Sequence, residues 1–240
     1  IADRDGTAIE IFDSQGRTGS ISTSYGIVKV RISASGLVAA ILDGGDDTWI
    51  NFYASDGSLI AENQTRVDDP GYPLDVAVSK DGVIMMVTYQ FVDGSNTTSY
   101  VAFYNFGDVG QNEDDRIVSG YTYEGVVVPQ VQYLGGNRSV ALRDDGFTLY
   151  SGAQIPKENE VYSTNGNLKF EKNFNIPYTT IKMSDGYILM YNSSQICVMN
   201  RRGVEKYSGT IDGTINNFLK IGWNRYLLVL DTGVSVIKLS

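Results

Sequence analysis

Two hairpin patterns alternate along the whole chain, and this repeat constrains the fold more strongly than any other feature of the sequence. In the first pattern, alternating apolar and polar residues end in an aromatic residue or Met and turn at Gly, as in residues 9–16 and 50–57. In the second, an alternating run turns at Gly or Asn into a strongly apolar strand, as in residues 28–41 and 74–87. The turns of the two patterns interleave at Gly16, Gly36, Gly57, Gly82, Gly107, Asn137, Gly166, Gly186, Gly203 and Asn224. Gly and Asn accept the positive φ that tight hairpins require, so the repeat predicts four-stranded antiparallel meanders.

The balance of turn residues supports an all-β fold. The chain has 26 Gly and only 5 Pro, and Asp outnumbers Glu by 20 to 8. Asp and Gly concentrate in tight turns, whereas helical proteins favour Glu. A single meander leaves its faces exposed, so the copies must stack, and radial stacking about an axis forms a β-propeller. We therefore predict a single propeller domain over residues 1–240, with six or seven blades.

The order of the hairpins predicts which blades are complete. If the strands of a blade are called a to d from the inside outward, the second pattern is the a-b hairpin and the first is the c-d hairpin. Blades 2 to 5 are then complete, blade 1 retains the end of b with c and d, and the last blade has a, b and c. We expect that residues upstream of Ile1 complete the first blade and add the outer strand of the last one. Two segments exceed the repeat, a c-d excursion over residues 108–115 and a b-c excursion over residues 144–159 that carries Tyr150.

Two turns carry a resemblance to a known group of propellers. The sequences are Ser-Lys-Asp-Gly at residues 79–82 and Tyr-Ala-Ser-Asp-Gly at residues 53–57. With the repeat, they make nearly the whole chain similar to WD40-like and quinoprotein-like propellers, although it has no Gly-His or Trp-Asp dipeptide. The chain also resembles uncharacterised bacterial propellers that are held outside the cell by an N-terminal membrane anchor. That resemblance implies an extracytoplasmic or cell-surface location, with membrane contact only through an anchor upstream of Ile1.

Composition excludes several function classes. The chain has no His and a single Cys, which excludes Ser-His-Asp and Cys-His catalysis, His-ligated metals, thiolate clusters and an internal disulfide. Cys197 lies in an apolar run and is expected to be a buried structural thiol. The net charge of -9 does not supply the basic surface that nucleic acids or anionic lipids need. Two carboxylates such as Asp46 and Asp145 could serve acid-base chemistry, but nothing in the sequence selects a pair.

The b-c tips and the d-a connections share one end of a propeller, called the top face here, and loops on a rigid scaffold often carry function. Asp residues gather at the tips and Tyr residues at the connections. The predicted ligand-binding residues are Asp43, Asp46, Asp47, Tyr72, Asp93, Tyr121, Tyr123, Asp144, Asp145 and Tyr178. They suit a protein, peptide or glycan partner, and the carboxylates also suit calcium, although no calcium-loop spacing is complete. The alternative is that the Asp residues only form turns and the rings only pack.

Five residues fall at equivalent positions of the inner strands. They are Arg31, Ala77, Gln132, Lys182 and Lys220. Quasi-symmetry would place them at one level of a central channel, where the cations bind an anion or simply line a solvated channel.

Taken together, these features predict a non-catalytic binding or scaffold domain that needs no cofactor. The alternatives are a carboxylate-dependent carbohydrate-active enzyme and a purely structural surface module.

Overall fold

The protein is built almost entirely from β-strands. The computed structural model describes residues 1–133, 138–143, 146–151, 167–173, 178–184, 187–200 and 204–239. Within these segments the only helical elements are two short 3₁₀ turns, Gly110–Asn112 and Asp114–Arg116. No helix of the described segments has the length and apolar character needed to cross a membrane.

The described strands form six antiparallel sheets that follow one another along the chain. The first contains β1 (Ala8–Asp13) and β2 (Gly16–Ser22). The second contains β3 (Gly26–Ile32), β4 (Val38–Asp43), β5 (Asp47–Tyr53) and β6 (Leu59–Arg66). The third contains β7 (Tyr72–Val78), β8 (Ile84–Asp93), β9 (Asn96–Asn105) and β10 (Ile117–Glu124). The fourth contains β11 (Gln130–Tyr133), β12 (Arg138–Arg143), β13 (Gly146–Ser151) and β14 (Asn167–Asn173). The fifth contains β15 (Thr180–Ser184), β16 (Tyr187–Tyr191), β17 (Gln195–Asn200) and β18 (Glu205–Thr210). The sixth contains β19 (Ile215–Gly222), β20 (Arg225–Leu230) and β21 (Gly233–Lys238).

The all-β class and the four-stranded antiparallel sheets predicted from the hairpin repeat are confirmed. Strands are paired in sequence order within each sheet, so every sheet is a simple meander. The first sheet has two strands, and Ala2 forms an isolated antiparallel bridge to Ile9 beside them. The last sheet has three strands.

The predicted b-c excursion of the fourth sheet was wrong. Residues 146–151, which were predicted to lie in a long connection, form β13, the third strand of the sheet. β13 pairs with β12 on one side and with β14 on the other, and its Tyr150 is fully buried. Residues 152–166, the rest of the predicted excursion and the residues after it, lie outside the described residues.

Five hydrophobic clusters lie between successive sheets and form the core. β4 shows how one strand serves two of them, because side chains alternate between the faces of a sheet. Val38, Ala40 and Leu42 pack toward the first sheet. Ala39 and Ile41 pack toward the third sheet. Both faces of the second strand are thus buried, which explains why it has a continuous apolar sequence instead of an alternating one.

One hairpin turn shows why a Gly is needed where two sheets meet. Gly57 joins β5 to β6 with φ +92°, in the left-handed region that Gly adopts without strain. A Cβ added at this position would lie 2.4 Å from the carbonyl oxygen of Ser20 in the first sheet. The turn therefore depends on Gly both for its backbone conformation and for the close approach of the neighbouring sheet.

Candidate functional site

The innermost strands of the second to fifth sheets surround a cavity of about 590 Å³. These strands are β3, β7, β11 and β15, and each is the first strand of its sheet. Their polar side chains face the cavity and also make the contacts between neighbouring sheets. The described lining includes Lys29, Arg31, Asp75, Gln130, Gln132 and Lys182.

Asp75 is the centre of the contacts between β3, β7 and β11. Its side chain is only 1% exposed. Arg31 Nη2 donates a hydrogen bond to Asp75 Oδ1 at 3.0 Å, and Lys29 Nζ lies 3.2 Å from the same oxygen. The other carboxylate oxygen accepts the backbone N–H of Val131 at 3.1 Å. One carboxylate therefore ties three sheets together, and buried ions are tolerated when they are paired in this way.

Gln130 and Lys182 continue these contacts around the cavity. Gln130 Nε2 donates to the carbonyl oxygen of Thr179 at 2.9 Å, and its Oε1 accepts the backbone N–H of Ile181 at 3.2 Å. Lys182 Nζ donates to Asn217 Oδ1 on β19. Each junction from the second sheet to the sixth thus has a polar side chain bonded across it.

Five residues were predicted to lie at one level of a central channel, and the structure brings four of them together. Arg31, Ala77, Gln132 and Lys182 line the cavity. Lys220 is not part of its described lining, and its Nζ lies 5.1 Å from the centroid of the Tyr187 ring.

Sequence reasoning missed Lys29, Asp75 and Gln130 as cavity residues. The sequence does single out Asp75, because it is the one acidic residue within the otherwise apolar run of residues 74–78. Lys29 and Gln130 stand two residues from Arg31 and Gln132, so the period of a strand places each of them on the same face as a predicted residue.

On the top face, the structure brings Asp43 and Tyr72 together. Tyr72 lies at the start of β7, and its hydroxyl donates to Asp43 Oδ2 at 3.3 Å. Burial raises the pKa of Tyr72 above its usual value, and the nearby Asp43 carboxylate adds to the rise. Asp43 Oδ1 accepts the backbone N–H of Gly45 at 2.8 Å, so the same carboxylate also stabilises the tip between β4 and β5.

The remaining predicted carboxylates are distributed over several tips. Asp46 lines a shallow depression of about 260 Å³ with Arg66 and Phe91. Asp47 pairs with Arg66 in the ladder between β5 and β6, and Asp93 is exposed at the end of β8. Asp144 and Asp145 lie outside the described residues. Among the residues that the structure describes, no three His, Cys, Asp or Glu side chains are grouped so that they could hold a metal ion.

Tyr121 and Tyr123 do not lie in a d-a connection as predicted, because both belong to β10. Tyr121 lies 5.1 Å from Tyr150 between ring centroids, and the Tyr123 hydroxyl is hydrogen-bonded to the Tyr150 hydroxyl. Burial raises the pKa of Tyr121, and Tyr123 adds to this effect. These contacts place both rings against the core between the third and fourth sheets.

Tyr178 precedes β15 and packs against the cluster between the fourth and fifth sheets. Burial raises its pKa, and the neighbouring Cys197 adds to the rise. Cys197 itself is 1% exposed.

A groove of about 570 Å³ between the second and third sheets was not anticipated from the sequence. Its described lining has three exposed carboxylates and no basic side chain; the carboxylates are Asp68, Asp69 and Asp115. Phe91 and Tyr100 provide aromatic surface beside them. Asp68 and Phe91 also line the depression that contains Asp46 and Arg66, so the groove continues onto the top face. Arg66 Nε lies 3.3 Å from Asp68 Oδ1 in an exposed ion pair. We call this continuous surface the acidic groove.

Solved structures with the same architecture are β-propellers. Hsv2 of Kluyveromyces lactis matches with a TM-score of 0.63 and 11% identity, over 98% of this chain and 68% of that chain. Hsv2 of Kluyveromyces marxianus matches with a TM-score of 0.58 and 15% identity, over 98% and 67%. A protein described as a putative 6-phosphogluconolactonase from Bacteroides uniformis matches with a TM-score of 0.63 and 10% identity, over 98% and 75%. At such low identity these matches show the fold alone, which is all-β and propeller-like.

The family of the chain is shown by its sequence. The model of DUF5711, a family of unknown function, matches residues 1–160 and 157–239. The protein belongs to this family. No curated protein matches the chain.

Proposed function

We propose that the protein is a non-catalytic binding or scaffold domain, built as a β-propeller of six or seven blades in the WD40-like and quinoprotein-like group. The sequential meanders and the clusters between successive sheets support this architecture. In this arrangement the two-stranded first sheet is an incomplete blade. The chain has no His, the side chain most often used for general acid-base catalysis, and carboxylates are the groups left for such chemistry.

The acidic groove is the observation that carries the binding proposal. It joins a concave surface between two sheets to the loops of the top face. Its described lining combines aromatic rings with four carboxylates, Asp46, Asp68, Asp69 and Asp115, against one basic side chain, Arg66. Exposed carboxylates attract Lys and Arg side chains, and the faces of Tyr and Phe rings attract cations and flat apolar groups. A protein or peptide partner with a basic segment fits this chemistry best. A cell-wall glycan is the second partner class, because sugars stack on the same kind of ring.

A thermal-shift screen tests the proposal, because a ligand that binds only the folded state raises the apparent melting temperature. The purified protein is first treated with a chelator and then mixed with calcium, Lys- and Arg-rich peptides, or cell-wall oligosaccharides. We expect a basic peptide to bind and the double substitution of Asp68→Asn and Asp69→Asn to weaken its binding. Asp108→Asn is the matched control, because Asp108 is exposed in the connection between β9 and β10.

Two results would contradict the proposal. One is a peptide whose affinity is the same for the groove variant and the control variant. The other is chemical conversion of a panel member, detected by mass spectrometry, because it would favour an enzyme. A response to calcium alone would identify a metal site in place of a peptide site.

We also propose an extracytoplasmic or cell-surface location with a membrane anchor upstream of Ile1. This rests on the resemblance to anchored bacterial propellers. Fractionation of cells that express the full-length reading frame tests it, and recovery of the protein in the cytosolic fraction would contradict it.

A further inference from the structure

The inner cavity concentrates positive charge in a protein whose net charge is -9. Its described lining contains three cationic side chains, Lys29, Arg31 and Lys182, and one carboxylate, Asp75. The difference between three cations and one anion is a local charge of +2. A concave surface of one sign focuses its field and attracts ions of the opposite sign.

Asp75 can neutralise only one of its two cationic neighbours. Arg31 and Lys29 both contact the same oxygen, Oδ1. Because the carboxylate is buried and its position is fixed, these contacts also hold the two cationic groups at the cavity wall. One charge of this pair has no anion to balance it among the described lining residues.

Lys182 adds a second uncompensated charge. The partners found for its ammonium group are neutral, namely Asn217 Oδ1 and the face of the Tyr191 ring, whose centroid is 5.5 Å away. Asn217 Oδ1 also accepts a hydrogen bond from the backbone N–H of Phe218 at 2.9 Å, which orients the amide toward the lysine. Within the described part of the chain, the lysine is therefore held in position by neutral groups.

Arg31 has the donors to hold an anion. A guanidinium group has five N–H donors in a fixed plane, which suits the oxygens of phosphate and carboxylate groups. Two hydrogen bonds engage the Arg31 side chain, from Nη2 to Asp75 and from Nη1 to the carbonyl oxygen of Val30 at 3.2 Å. The other donors can face a ligand.

We propose that the cavity binds a small organic anion whose phosphate or carboxylate groups are bound by Arg31 and Lys182. Its volume of about 590 Å³ exceeds what an inorganic ion fills and falls within the range of roughly 300–1,000 Å³ typical of small-molecule sites. Ala77, Val131 and Ile181 provide apolar wall for the rest of the molecule. This site is separate from the acidic groove and does not depend on the function proposed for it.

Calorimetric titration with inorganic phosphate and with citrate, at constant ionic strength set with NaCl, tests the proposal. Constant ionic strength is needed because salt screens weak electrostatic binding. We expect saturable binding of one anion per chain, and the tighter of the two probes identifies the head group. Arg31→Gln and Lys182→Gln should each weaken binding about tenfold or more, because each removes a charge-assisted hydrogen bond. Arg17→Gln is the control, since Arg17 pairs with Glu10 on the first sheet, away from the cavity.

A second measurement needs no variant. Crystals soaked in selenate should show anomalous density in the cavity, within hydrogen-bonding distance of Arg31 or Lys182. Three results would overturn the proposal. Neither phosphate nor citrate binds; or Arg31→Gln and Lys182→Gln bind the anion as tightly as Arg17→Gln does; or selenate is absent from the cavity.

Discussion

Replacing Asp75 with Asn is expected to lower the free energy of unfolding by about 2–3 kcal/mol. Removing one partner of a fully buried ion pair costs about 3–5 kcal/mol. The cost is smaller here because the side chains of Lys29 and Arg31 remain 31% and 42% exposed, so water stabilises them when the carboxylate is lost. Asn keeps the shape of Asp and a carbonyl oxygen for the N–H of Val131.

Asp75→Ala also removes the acceptor for Val131. Leaving that buried N–H without a partner adds about 1–3 kcal/mol, so this variant should be the less stable of the two. Urea unfolding followed by circular dichroism measures both, with the slope of the transition checked for constancy. Arg17→Gln breaks an ion pair with side-chain exposures of 61% and 34%, and it should cost less than about 1 kcal/mol. If Asp75→Asn is no more destabilising than this control, the Asp75 carboxylate does not stabilise the contacts between the sheets.

Three further predictions concern the core, the turns and alkaline pH. Met86→Ala should cost about 2–5 kcal/mol in the same urea assay, because Met86 is fully buried and the change leaves a cavity; a cost below 1 kcal/mol would contradict this. Gly57→Ala should lower the melting temperature more than Gly45→Ala. Both positions have positive φ, but of the two only Gly57 is close to a neighbouring backbone. Equal melting temperatures for the two variants would contradict this. Burial raises the pKa of Tyr89 and Tyr104 above 10.0, so the stability held by their neutral hydroxyls is present below about pH 10 and is lost as the pH rises through their folded-state pKa values. Exposed Tyr residues ionise first, and the tyrosinate absorbance that follows from the buried rings should appear together with loss of the β-sheet signal; buried-ring ionisation without that loss would refute the link.

The sheet order could be predicted because the strands carry two distinct patterns. β4 is buried on both faces and reads as a continuous apolar run, whereas the outer strand β6 alternates between exposed and partly buried positions. Turn residues separate these runs at regular intervals. The hydrophobic pattern of a strand and the residue types of a turn are local properties, so they can be read directly from the sequence.

Two kinds of feature could not be predicted in this way. The third strand of the fourth sheet was misplaced because residues 161–163 also have a strand-like pattern, and periodicity does not tell which of two runs pairs with β12. The contact between Arg31 and Asp75 joins residues 44 positions apart on different sheets. It depends on how the sheets are aligned with each other, which no local pattern encodes. The acidic groove was missed for the same reason.

The meander organisation has a consequence for how such a chain can change over evolution. Each sheet is made from one continuous stretch of sequence, and neighbouring sheets meet through side chains instead of shared strands. A gene segment that encodes one whole sheet is therefore the smallest unit that can be duplicated or deleted while backbone pairing stays intact. Each new copy needs matching apolar side chains on both faces and a polar residue at the position of Asp75 or Gln130 to join its neighbours. Family members that differ by whole sheets should therefore retain polar residues at these junction positions.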